Sequence, residues 1–279
     1  MKTIRGGMGI GDAIYVHAIC RHYLARGEQL KVATSWPEVF RFLSVQCVPF
    51  TRNGIDILAH YSMRKPQPTK QWHDVCITAR VPVETDLAID WRPTSGIGDS
   101  LREQADGRPI IAVQLPRAPM GRTDGFGAEL LPDCGVIQKL IDRLRGRALL
   151  VQIGAGKALH RFDGIDIDLT NRTTVCELFD LGQAVDGFLG YVSFIVPIAE
   201  AMRKPALLVW SRRGLNSRTP YIKQITPQKV LYRDTSHYVV DDDAAALDEK
   251  AELLLRQANG VRASAGQASR DRREWAGIA

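Results

Sequence analysis

Short apolar runs of strand character alternate along the chain with stretches whose apolar residues recur at helical spacing. Lys2–Arg5 predicts a strand. Asp12–Arg26 predicts a helix with Ala13, Val16, Ala18, Ile19, Tyr23 and Leu24 gathered on one side. Leu30–Thr34 predicts a second strand, and Pro37–Leu43 a helix opened by proline, whose missing N–H is not needed in a first turn. Gln46–Phe50 and Ile55–Ala59 predict further strands. Between Met63 and Trp91 the periodicity is lost, and the prolines there predict long loops.

A second cycle starts near Arg108. Pro109–Leu115 predicts a strand, followed by a loop rich in Gly, Arg and Pro that runs through Pro132. Asp133–Leu144 predicts a helix, Ala148–Ile153 a buried strand and Ile165–Leu169 another. Thr173–Leu181 and Phe194–Met202 predict helices on either side of a short strand at Gly187–Leu189, with a further strand at Pro205–Trp210. Val230–Tyr232 is assigned as the last strand. Asp242–Arg256 closes the pattern as a helix, acidic at its start and basic at its end. Strands alternating with helices imply an α/β protein with parallel sheets. The break near residues 92–108 divides two such units, and in sheets of this kind the loops that follow the strands carry the chemistry.

Composition adds limits. At roughly 100–200 residues per domain, the 279 residues suit two domains. The longest apolar runs, Ala148–Ile153 and Ala206–Trp210, fall short of the ~20 residues that span a bilayer. The opening Met-Lys-Thr-Ile-Arg lacks the apolar core of a signal peptide, so the expected location is the cytoplasm. Cys20, Cys47, Cys76, Cys134 and Cys176 form no C-x-x-C pair, which argues against a disulfide framework or a zinc site. The net charge of +6 owes something to the C-terminus, where Arg256, Arg262, Arg270, Arg272 and Arg273 face only Asp271 and Glu274. Rich in Gly, Ala and Ser, residues 259–279 are expected to form a flexible basic tail, either simply solvated or touching phosphates.

The first strand runs into Gly6-Gly7-Met8-Gly9-Ile10-Gly11-Asp12. A dinucleotide fingerprint would need glycine at 12 or 14, and a phosphate-binding P-loop would need lysine where Asp12 stands. A carboxylate there repels phosphate, so the loop is expected to receive a neutral, hydroxyl-bearing group. Asp12 reads either as an N-cap of its helix or as a general base kept ionised by the helix N-terminus; a cap alone does not account for the glycines before it. His17, one turn on, is a candidate substrate contact or a structural histidine. Asp166 and Asp168 lie in an alternating strand and are expected to face solvent rather than bind metal, and Asp241, Asp242 and Asp243 to begin the last helix.

Three segments then resemble the heptosyltransferase-like glycosyltransferases of family 9. Gly9-Ile10-Gly11-Asp12-Ala13 looks like that family's G-x-G-D opening. Leu169-Thr170-Asn171-Arg172-Thr173-Thr174-Val175-Cys176-Glu177-Leu178, following Val151-Gln152-Ile153-Gly154, is similar to L-T-G-K-T-S-L-x-E-L. Gly190–Met202 with Lys204-Pro205 resembles G-x-D-S-G-x-x-H-x-A-x-A-L and the proline and strand after it. The resemblance spans most of residues 1–210 in order and spacing. It implies the GT-B architecture: two Rossmann-like domains facing a central cleft, an acceptor-side domain at 1–105 and a nucleotide-sugar-binding domain at 106–258.

It further implies an inverting glycosyl transfer, without metal or bound cofactor, from a nucleotide-sugar co-substrate to an acceptor hydroxyl. Asp12 would be the base, and Gly9, Gly11 and His17 would lie beside the acceptor. The donor would be held by Arg117, Arg122, Gly154, Arg172, Ser193, Glu200 and Arg212. Where the family has D-S-G and a later His, this chain has Val192, Ser193, Phe194 and Pro197, which leaves the donor open. The acceptor is a carbohydrate or, given the basic balance, nucleic acid or another polyanion. A catalytically inactive nucleotide-sugar-binding protein is the alternative outside enzymes.

Overall fold

A computed structural model describes residues 1–61, 70–117, 128–220 and 222–276, with side chains through residue 264. The first lobe contains β1 (Lys2–Arg5), α1 (Ile10–Leu24), β2 (Leu30–Thr34), β3 (Gln46–Pro49), β4 (Ile57–Leu58) and α2 (Gln71–Thr78). Then come α3 (Ile97–Ala105), β5 (Ile110–Gln114), α4 (Cys134–Leu144), β6 (Leu149–Ile153), β7 (Ile167–Asp168), α5 (Val175–Ala184) and β8 (Gly187–Tyr191). The chain closes with α6 (Ile195–Ala201), β9 (Ala206–Trp210), α7 (Arg212–Leu215), α8 (Pro227–Val230), β10 (Ser236–Val240) and α9 (Leu247–Ala276).

Both sheets are parallel. Strand order is β3-β2-β1-β4 in the first and β10-β9-β8-β5-β6-β7 in the second. In each, the chain works outward from a central strand (β1, β5) and then crosses to its other side (β4, β8). That reversal leaves a crevice at the carboxyl ends of the two strands, the place where doubly wound sheets take ligands. β5, β6, β8 and β9 are buried along their whole length, because helices cover both faces of the sheet.

α1 departs from the one-sided pattern expected of it. Every residue from Ala13 to Cys20 is buried, because the helix lies between its own sheet and α6 of the second lobe. The helix expected at Pro37–Leu43 is a short 3-10 turn, Pro37–Phe40. α2 lies within the span expected to be loops, and α3 within the break between the units. Val230–Tyr232 is not a strand: Pro227 opens α8, and the last strand is Ser236–Val240. The three aspartates lead into the last helix through a 3-10 turn, Ala244–Ala246, of which Asp243 is the N-cap residue. Asp241 accepts from the backbone N–H of Asp133 and of Arg212, at the starts of α4 and α7. α9, expected to end at Arg256, continues to Ala276: no proline interrupts it, and alanine and arginine are good helix formers.

The segment joining the lobes docks on the second. α3 packs against α5, and Arg102 makes a two-pronged ion pair (2.7 and 2.9 Å) with the fully buried Asp186. Asp180 in α5 accepts from the Trp91 indole (2.7 Å), the Thr94 amide (3.0 Å), the Thr94 hydroxyl (2.9 Å) and the Ser95 hydroxyl (2.7 Å). Burial raises the Asp180 carboxyl, but these donors outweigh it and hold the group below its ordinary value.

Asp180→Ala strands those donors, so it is expected to lower the free energy of unfolding by about 3 kcal/mol, read from the urea midpoint. Because the folded carboxyl titrates below the unfolded one, the contribution is complete above about pH 4 and fades as pH falls through the folded value. The gap between wild type and variant should therefore close in acid; a gap that ignores pH would contradict the carboxylate's role.

Candidate functional site

The two crevices face each other. Between them lies a cavity of about 400 Å³, walled on one side by Asp12, Tyr15 and Tyr61 and on the other by Gln114, Arg117 and Ser193. Asp12 and Tyr61 follow β1 and β4; Gln114 ends β5, and Ser193 follows β8.

α1 begins two residues earlier than expected, with Gly9 at the N-cap, so Asp12 is not the cap itself. From the third helical position its carboxylate reaches back to accept from Gly9 N–H at 3.0 Å. Tyr61 stands on the same wall of the cavity. Burial pushes the Asp12 carboxyl up from its ordinary value, against the Gly9 bond, nearby His60 and the Tyr61 hydroxyl, which pull it down. The helix N-terminus therefore does not set its ionisation alone. A carboxylate shifted toward the working pH suits a general base better than an unperturbed one.

The glycines have internal reasons to be glycine. A methyl at Gly7 would stand 2.3 Å from an Asp12 carboxylate oxygen, and one at Gly6 would stand 2.5 Å from Val16. At Gly11 it would come within 2.9 Å of Pro197, which closes in from the second lobe. Gly9 and Gly11 do line the cavity.

His17 does not. It is fully buried in the core beside Phe40, and burial pushes its imidazole down to about 4, so it is neutral at physiological pH. The all-round burial of α1 takes it away from any acceptor.

Among the donor candidates, Arg117 and Ser193 line the cavity. Arg117 donates to Ala155 O at 3.2 Å, and the Ser193 hydroxyl donates to Gln114 Oε1 at 2.8 Å. Arg122 lies outside the described residues. Gly154 and Arg172 follow β6 and β7, on the side of β5 opposite β8, and neither lines the cavity. Gly154 closes against Leu115, and Arg172 is exposed near Asp168. The Arg212 guanidinium is held by Asp242 at 2.8 and 2.9 Å. Glu200 is neither exposed nor on the cavity wall: it is 1% accessible and accepts from the Tyr232 and Arg233 amides at 3.0 and 2.9 Å. Asp166 and Asp168 are not buried, as expected of an alternating strand, with oxygens taken up by Leu150 N and by Gln152 and Thr170.

Sequence reasoning missed Tyr61, Gln114 and Lys229. Tyr61 follows a strand, but the helix after that strand gave no sign of itself. Gln114 is the one polar residue of its strand. Lys229 lies in the segment misread as leading into a strand; it lines the cavity and sits 3.7 Å from Asp74 of α2 in the first lobe.

A structure described as a family 9 glycosyl transferase from Veillonella parvula matches 93% of this chain and 96% of its own, with a TM-score of 0.60 at 9% identity. The chain has the fold of the family 9 glycosyltransferases. TibC of enterotoxigenic E. coli, described as an iron-containing dodecameric glycosyltransferase, matches with a TM-score of 0.54 at 14% identity, over 95% of this chain and 78% of that one. The E. coli ADP-heptose LPS heptosyltransferase II matches at 0.50 and 13%, over 94% and 98%. No protein-family model and no curated protein matches the sequence. Among the described residues no helix is long and apolar enough to cross a membrane.

Gly7→Ala is expected to push the Asp12 carboxylate off Gly9 N–H and cost about 1 kcal/mol or more of stability through the lost cap, measured by thermal melting. In an Asp12→Ala background the same change should cost clearly less, since the clash goes with the carboxylate. Equal costs in both backgrounds would mean that the carboxylate is not what requires the glycine.

Proposed function

We propose that this protein is a metal-independent, inverting glycosyltransferase that moves a sugar from a nucleotide-sugar to an acceptor hydroxyl. The observation that carries this reading is the position of Asp12: a half-buried carboxylate on the first lobe's wall of an inter-lobe cavity, facing Arg117, Ser193 and Gln114 on the second. The shared fold with glycosyltransferases supports it.

In the proposed reaction the acceptor hydroxyl gives its proton to Asp12 as its oxygen bonds to the anomeric carbon. The bond from that carbon to the diphosphate breaks on the opposite face, so configuration inverts, and the bonding electrons leave on the terminal phosphate oxygen. The growing charge needs fixed donors in a site shielded from water. Arg117 is such a donor, and the Ser193 hydroxyl becomes a second only by turning its single proton from Gln114 Oε1 to the phosphate. Gln114 serves too, through its Nε2 amide, because Ser193 and the Tyr191 amide already occupy its Oε1.

A thermal-shift panel of nucleotide-sugars, followed by turnover assays on the hits, tests this reading. Asp12→Asn is expected to keep the donor-induced rise in Tm while losing at least about 100-fold in transfer. The wild-type rate should fall as pH drops through an Asp12 pKa above the ordinary aspartate value. Undiminished transfer by Asp12→Asn removes the base; donor binding without turnover by wild type makes the protein a binder; and acceptor binding that collapses with added salt identifies a polyanion.

A further inference from the structure

Asp12 carries a charge that burial opposes, and its position depends on more than α1. Beyond Leu58 the chain keeps its register with β1 for one more residue, through Ala59 N to Arg5 O at 2.8 Å. His60 is then clamped by Thr78 of α2: its amide donates to the Thr78 hydroxyl at 3.1 Å, and that hydroxyl lies 2.6 Å from its carbonyl. The next residue is Tyr61. Its ring meets Tyr15 edge-on (6.3 Å, 82°), and Tyr15 in turn stacks on Trp72 (5.8 Å, 26°). A tyrosine whose preceding residue is clamped and whose own ring is packed has little rotamer freedom left to lose in making a hydrogen bond. It lines the same cavity wall as Asp12 and is among the groups that pull that carboxyl down.

We infer that Tyr61 is the positioning residue for Asp12: its hydroxyl donates to the carboxylate, stabilises the charged form and keeps it turned toward the cavity. The inference rests on Asp12 being the proposed base. Thr78, His60, Tyr61, Asp12 and Gly9 then form a strut that ties α2 and the end of β4 to the start of α1. Among the described residues, the other titratable groups around the carboxylate are His60 beside Tyr61, Tyr15 on α1, and Arg117 and Lys229 on the second-lobe wall of the same cavity. Tyr61→Phe leaves all four, and the ring contacts, in place.

The test reads Asp12 directly, without any substrate. In the full chain labelled with ¹³C at the aspartate carboxyls, the Asp12 signal is assigned by its absence from Asp12→Asn and titrated by NMR. Tyr61→Phe is expected to move the midpoint upward by about one pH unit, tenfold in ionisation constant, as loss of a hydrogen bond to a charged group requires. Thr78→Val, which releases the clamp but keeps the hydroxyl of Tyr61, should move it the same way by less, and serves if Tyr61→Phe fails to fold. An unchanged Asp12 midpoint in a folded Tyr61→Phe protein, even with a lower Tm, overturns the inference and leaves the base role standing. Full transfer by Asp12→Asn would instead remove the base role whatever the titration shows.

Discussion

The contact between α1 and α6, where Gly11 lets Pro197 approach, fixes the two lobes against each other. Two parallel sheets joined by a single link could be arranged in many ways. This contact buries α1 all round and merges apolar residues of both lobes into one continuous cluster. With the lobes held so, the crevice beside β1 faces the crevice beside β5. Asp12 is thereby half-buried at the boundary rather than exposed on a helix end, and burial is what raises its carboxyl. Pro197 suits the contact: it lies in the first turn of α6, where its missing N–H leaves no intrahelical bond unmade.

The buried acids of this protein are separated by their partners. Asp180 is saturated by donors from the linking segment, Asp186 by Arg102 and the Ile110 amide, and Glu200 by two amides of the loop before β10. Each is spent on holding backbone that no helix or strand would otherwise satisfy. Asp12 differs in that it accepts from the Gly9 N–H on one side and opens on a cavity on the other. The same distinction holds for the cations: Arg102 and Arg212 are engaged by carboxylates, whereas Arg117 gives a bond to a carbonyl at the cavity edge.

Much of the fold was legible in the chain. β1 and β2 occupy the predicted residues, and Thr174 with Glu177 forms the reciprocal cap that begins α5 just after the predicted start. These elements are short-range matters: apolar period, proline position and a capping pair are all contained within a few residues. Elsewhere the local signals misled. Val230 and Tyr232 have strand-forming side chains, yet Pro227 starts a helical turn there. α2 went unseen because it is short and packs mainly against other helices, and α3, whose Ile97, Leu101 and Ala105 do recur at helical spacing, fell in the stretch read as the break between the units.

The sequence by itself determined that the protein is built of parallel α/β units, that a carboxylate follows a glycine loop after the first strand, and that Ser193 and Arg117 follow strands of the second unit. Only the tertiary structure decided which strand ends meet. Neighbouring strands in a parallel sheet are chosen by crossovers that no local pattern records, so loops after β6, β7 and β9 looked as promising as those after β5 and β8. The order of strands brought Gln114 and Ser193 together, took Gly154, Arg172 and Arg212 elsewhere, and buried His17 and Glu200. It also set Tyr61, from a strand end that nothing in the chain marked as special, beside Asp12.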